Sequence, residues 1–174
     1  MAEDPKNEAL IGYFAHARDA ATAWGALVLV TAEGDPVDFL YTDPVAVSRL
    51  THRLLGPRVD AYLVRQVLLQ PLLEQAGERL SVVCFEEPAL LQRPFPFGVP
   101  AAVRAPGDAL HRDGAWVAEA VPAGGNGNGH TWWLPPDTRA AALAALRRAA
   151  AAMAPFDILD PFQQLRAAMA EVRG

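Results

Sequence analysis

With 174 residues, 52% of them hydrophobic and 20% charged, the chain has enough apolar material for a sizeable core and too little charge for wholesale disorder. The single cysteine, Cys84, excludes an intramolecular disulfide, and a net charge of -5 opposes indiscriminate attraction to nucleic acid or anionic lipid. No apolar run approaches the roughly 20 residues that span a bilayer, and the acidic start MAEDPKNEAL has no basic segment ahead of an apolar one, so a cytoplasmic protein with no membrane partner is expected.

From Glu3 to about Ala23 the residues are mostly helix formers, with Leu10, Ile11, Phe14 and Ala17 at helical spacing, which predicts an amphipathic first helix ended by Gly25. Ala26 to Thr31 is a β-branched apolar run, and Glu33-Gly34-Asp35-Pro36 is turn chemistry, so a hairpin follows. In its second arm Val37, Phe39 and Tyr41 alternate with Asp38, Leu40 and Thr42, the period of a strand with one face toward a core. Asp43-Pro44 reads as a helix start. Behind it Val47, Leu50 and Leu54 make one apolar stripe. After Gly56-Pro57 comes a second helical stretch, apolar around more than half its circumference and expected to kink or end its regular part at Pro71.

RLSVVCFEE has the composition of a strand, and Pro88 to Pro106 is an irregular proline-rich stretch with a short edge strand predicted at Val99 to Arg104. AWVAEAVPA and HTWWLPP form the arms of a second hairpin around GGNGNG. A helix capped by Asp137 or Thr138 carries Leu143, Leu146, Ala150 and Met153, and Asp160-Pro161 opens another with Phe162, Leu165, Met169 and Val172 on one face. The sum is an α+β fold: a mainly antiparallel sheet built from two hairpins, packed against a long kinked helical region and C-terminal helices. Residues 1–174 read as one domain, with 1–136 holding the sheet and central helical region and 137–174 a helical pair. By order of elements over roughly residues 5 to 154, the chain resembles roadblock/longin-like domains, without a motif of that family. The resemblance implies a module that dimerises and serves GTPase regulation or the scaffolding of complexes.

Four constellations invite chemistry. GGNGNG lacks the Gly-Lys-Ser/Thr and the following helix of a phosphate loop, so a flexible turn is the simpler reading. His111-Arg112-Asp113 resembles a protein-kinase catalytic loop, but Ala118 stands where a metal-binding asparagine is required, and the match is rejected. Cys84 and Glu86 share a strand face, whereas Glu86 and Glu87 point to opposite faces and cannot share a site. In its Val-Val-Cys-Phe context Cys84 reads as a buried small hydrophobe rather than a nucleophile. In the helical region Arg49, His52, Arg53, Arg58 and Arg65 are opposed only by Asp60. That strip is a candidate contact for phosphate or an acidic partner, or else the solvated side of a core helix.

Trp116, Trp132 and Trp133 in the second hairpin, with Phe162, Leu165 and Met169 on the last helix, are candidate interface residues. No convergent set of acid, base, nucleophile or ligands is visible, and no cofactor or metal is expected. The leading expectation is therefore a non-catalytic adaptor or accessory subunit of a bacterial-type assembly, working with a protein partner or as a homodimer. Two alternatives stand beside it. One is a nucleic-acid-associated subunit using Arg49 to Arg65; the other is a small sensor or enzyme whose pocket gathers Glu86, Tyr41 or His130.

Overall fold

The computed structural model describes residues 9–19, 21–87, 98–104, 116–123 and 128–173. Among these residues the centre of the molecule is one mixed sheet. Its first three strands, β1 (Leu10–Arg18), β2 (Thr22–Val30) and β3 (Pro36–Tyr41), form an antiparallel meander, and the two-residue β4 (Val45–Ala46) pairs with the start of β2. β5 (Leu80–Phe85) lies parallel to β1, and β6 (Ala101–Arg104) parallel to β5. The hairpin of β7 (Val117–Val121) and β8 (His130–Leu134) closes the far side, giving the order β3-β2-β1-β5-β6-β8-β7. The fold is α+β, as the order of elements predicts.

Helices cover both faces, so the core has two halves. On one side Ile11, Tyr13, Trp24, Val82, Cys84 and Trp132 pack against α4 (Arg139–Ala152) and α5 (Asp160–Arg173). On the other, Phe14, Leu27, Leu29, Val83, Phe85 and Trp133 meet a helical run of α1 (Arg49–Leu55), α2 (Val59–Tyr62), a π-helical segment at Leu63–Leu69 and α3 (Gln70–Ala76). Insertion begins with Val59 of α2 and deepens from Leu63 onward, where Leu68, Leu69, Leu72 and Leu73 are buried, and α1 buries nothing. Pro71, which has no N–H to donate, sits in the first turn of α3 directly after the π turn, and the helix continues past it.

Several expectations are corrected here. The first helix is instead β1 and the beginning of β2. Leu10 and Phe14 face one half of the core and Ile11 and Tyr13 the other, so burial on both faces removes the alternation that marks a strand. Pairing to β2 and β5 outweighs the helix-forming composition. Gly25 lies inside β2, where an added Cβ would stand 3.1 Å from both Leu68 Cβ and the Phe14 ring. Asp43-Pro44 opens no helix; residues 42 to 47 run beside β2, with Thr42 N donating to Gly25 O at 2.9 Å and Val47 N to Ala21 O at 3.1 Å. The helix begins only after Ser48, whose Oγ accepts from Thr51 N at 3.0 Å. On β3 it is Leu40 that enters the core, while Val37 and Tyr41 are exposed on this outer strand. β6 is interior, paired on both sides, rather than an edge. The proline-rich residues 88–97, the His111-Arg112-Asp113 loop and residues 124–127 of GGNGNG lie outside the described residues.

The Glu33 to Pro36 turn does form. Gly34 adopts a φ of 91°, and a Cβ there would lie 3.3 Å from Met153 Cγ at the end of α4. Gly34→Ala is expected to cost about 1–2 kcal/mol through the left-handed backbone and the tight contact, read as a lowered urea midpoint with unchanged slope.

Candidate functional site

Parallel strands deliver their carboxyl ends to one edge of a sheet, and crevices outside those ends are where α/β folds place ligands. Here β1, β5 and β6 converge in that way. On the face of β1 that carries Leu10, Gly12 and Phe14, the last two positions are His16 and Arg18. Glu86 and Glu87 follow directly after β5, and Arg104 ends β6.

These residues sort by face. Glu87 joins His16, with Oε1 3.8 Å from His16 Nδ1. Arg18 forms an ion pair with Asp60 of α2 and brings Nη2 to 3.5 Å from His52 Nε2 of α1. His16, Arg18, Asp60, Leu63, Val64 and Glu87 line a cavity of about 290 Å³. Glu86 projects to the opposite face, where it is ion-paired with Arg166 of α5 and lies 4.0 Å from Arg104. The separation of the two glutamates agrees with the alternation of a strand. Chemically the edge offers guanidinium and imidazole groups for an anion, together with one imidazole–carboxylate pair at the cavity. Glu86 and Asp60 are each matched to an arginine, and among the described residues no three His, Cys, Asp or Glu side chains gather closely enough to hold a metal ion.

Of the arginine strip, Arg49, His52, Arg53 and Arg58 are exposed on α1 and the turn after it, and His52 connects them to the cavity through Arg18. Arg65 does not stand with them: it is half-buried, and desolvation lowers its guanidinium below the usual value, although an arginine remains charged at any physiological pH. The aromatic and C-terminal candidates lie elsewhere. Trp132 and Trp133 are both buried, on opposite faces of the sheet, and Trp116 packs partly buried against the second half of the core. Phe162, Leu165 and Met169 are consumed by the packing of α5 onto the sheet. Glu86, Tyr41 and His130 do not converge: Tyr41 stands beside Phe39, and His130 Nε2 bonds Asp157 Oδ1 at 2.9 Å. Cys84 is fully buried, and burial pushes its thiol up, away from nucleophilic use.

His16 and Arg18 escape a reading of the sequence that assigns their segment to a helix. The signal that finds them is period two: in Leu10-Gly12-Phe14-His16-Arg18 an apolar strand face turns polar at its carboxyl end.

No family model matches the chain, and no curated protein matches it. Among solved structures, human ENDOV is similar with a TM-score of 0.54 and 15% identity, over 97% of this chain and 86% of that one. Endonuclease V of Ciona intestinalis, solved in complex with a 24mer DNA containing an inosine followed by a ribo-adenosine, is similar with a TM-score of 0.54 and 11% identity, over 98% of this chain and 90% of that one. The roadblock/longin resemblance is thereby overturned. With it goes the adaptor or accessory-subunit reading, since the tryptophans and the last helix through which it was to act are spent on the protein's own core. Among the described residues no helix is long and apolar enough to cross a membrane. At these identities the likeness is one of fold, and the fold that this chain shares is that of endonuclease V.

Proposed function

We propose that the chain binds nucleic acid, laying the phosphate backbone along Arg49, His52, Arg53 and Arg58 so that it passes the cavity at the carboxyl ends of β1 and β5. The observation that carries this reading is the continuity of an exposed cationic strip with that cavity, through the Arg18–His52 contact. Between Asp43 and Asp60 the sequence has no carboxylate, so a chain of net charge -5 keeps one stretch where a polyanion is attracted. The fold adds support, because a protein of the same architecture has been solved with DNA bound.

The test is anisotropy of a fluorescent oligonucleotide titrated with protein at several salt concentrations. Binding is expected to weaken with salt at a log–log slope of about -2 to -3, as about three neutralised phosphates require. Arg49→Glu with Arg53→Glu should cut affinity at least about tenfold at low salt and flatten the slope by about 2. Affinity indifferent to salt, or unchanged by the double reversal, would overturn the reading.

A further inference from the structure

The cationic strip is not purely cationic. α1 has no buried residue at all, and its two leucines stand 64% (Leu50) and 72% (Leu54) exposed, with Tyr62 of α2, beyond the turn at Gly56–Arg58, 44% exposed. Leu50 and Leu54 lie one turn apart, as do Arg49 and Arg53, so an apolar row runs beside a guanidinium row on one short helix. Large apolar side chains held in water on a helix that gives nothing to the core call for something to cover them. The ligand that covers them must also be anionic at the same spacing.

We infer that the strip takes single-stranded nucleic acid, with phosphates on Arg49, Arg53 and Arg58 and unstacked bases on Leu50, Leu54 and Tyr62. The inference rests on the reading proposed above and narrows its substrate. A duplex hides the faces of its bases, so it would satisfy the arginines and leave the leucines against sugar edges and water. A single strand presents both, since every base has a free face for an apolar or aromatic side chain and a phosphate on the far side of its sugar for a guanidinium. A second copy of the chain fits poorly: in a two-fold contact the patch meets itself, and with no carboxylate between Asp43 and Asp60 it offers Arg49 and Arg53 no charge partner.

The experiment compares a labelled oligothymidine of about 20 nucleotides with a duplex of equal length, at about 50 mM salt. The strand is expected to bind at least about tenfold more tightly than the duplex. Leu50→Ser with Leu54→Ser should lower strand affinity about tenfold and Tyr62→Ala about fivefold, with duplex affinity unchanged in both and the thermal midpoint unchanged in the leucine pair, whose side chains are the most exposed. Equal or tighter duplex binding overturns the inference while leaving the proposed function standing, as does a preference that survives the leucine substitutions. Failure of both nucleic acids to bind removes the proposed function itself. Analytical ultracentrifugation supplies the remaining arm: self-association that the leucine pair abolishes would assign the patch to a second copy and sink the single-strand inference.

Discussion

Phe162→Ala is expected to lower stability by about 3–5 kcal/mol, the range for removing a fully buried aromatic side chain and leaving a cavity. Phe162 lies edge-on to Tyr13, with ring centroids 4.9 Å apart and planes at 88°, while Arg166 holds its guanidinium 6.0 Å from the Phe162 centroid. Tyr13 in turn donates from its hydroxyl to Ile158 O at 2.9 Å, and Ile158 N donates to Ala123 O at 2.9 Å, so the Tyr13 hydroxyl ties the segment before α5, and through it the residues just after β7, to β1. For a chain of this length the loss corresponds to a fall of roughly 10 °C in Tm. The measurement also separates two roles for the apolar stripe of α5. A stripe reserved for a partner would leave the melting temperature of the isolated chain unchanged and alter only its association; the packing seen here demands the opposite.

Alkaline pH should unfold the protein earlier than its surface charge suggests. Cys84 is buried, which pushes its thiol up, and Tyr13 is raised by burial first and then by the neighbouring Cys84, Asp157 and Asp160. Both groups are acids that keep their proton in the folded state at a pH where the unfolded chain releases it. Their contribution is thus complete below the ordinary thiol value near 9 and is lost as pH rises, first through that value and then through the ordinary phenol value near 10. Stability should therefore decline progressively between about pH 8 and pH 11, as the unfolded chain releases first the thiol and then the phenol proton. Urea midpoints across that range check the slope. Cys84→Ala with Tyr13→Phe removes both titrating groups and should flatten it; the same decline in the double variant would show that the loss arises elsewhere.

Much of the architecture can be read from residues near one another in the chain. The Glu33 to Pro36 turn, the paired arms around GGNGNG, the strand at SVVCF and the two C-terminal helices all follow from local chemistry: turn residues, β-branched runs, and apolar residues returning every three or four positions. β1 does not, because its identity as a strand depends on partners at both sides, one of them β5 some 70 residues away. Two-sided burial makes LIGYFA continuously apolar, and a continuous apolar run carries no period. In a helix His16 and Arg18, two positions apart, face opposite ways, so the crevice they line together is legible only when the stretch is a strand. The leucines of α1 mislead in the other direction, since helical spacing implies burial and Leu50 and Leu54 remain in water. Glu86 and Glu87 are legible as a pair divided between two faces, but their partners, His16 on one side and Arg104 and Arg166 on the other, depend on which strands lie side by side.

The π-helical segment at Leu63–Leu69 has a consequence for how the two ends of the central helical run are aligned. A π turn holds one residue more than an α turn, so positions before it are shifted in phase by about 100° relative to those after it. Leu68, Leu69, Leu72 and Leu73 can therefore point into the core while Asp60, on the other side of the segment, still meets Arg18 at the end of the sheet. In a uniform α-helix those two demands compete, and deleting one residue from the segment would force a choice between the core contact and the crevice. The extra residue works as an angular offset that lets one rod serve both.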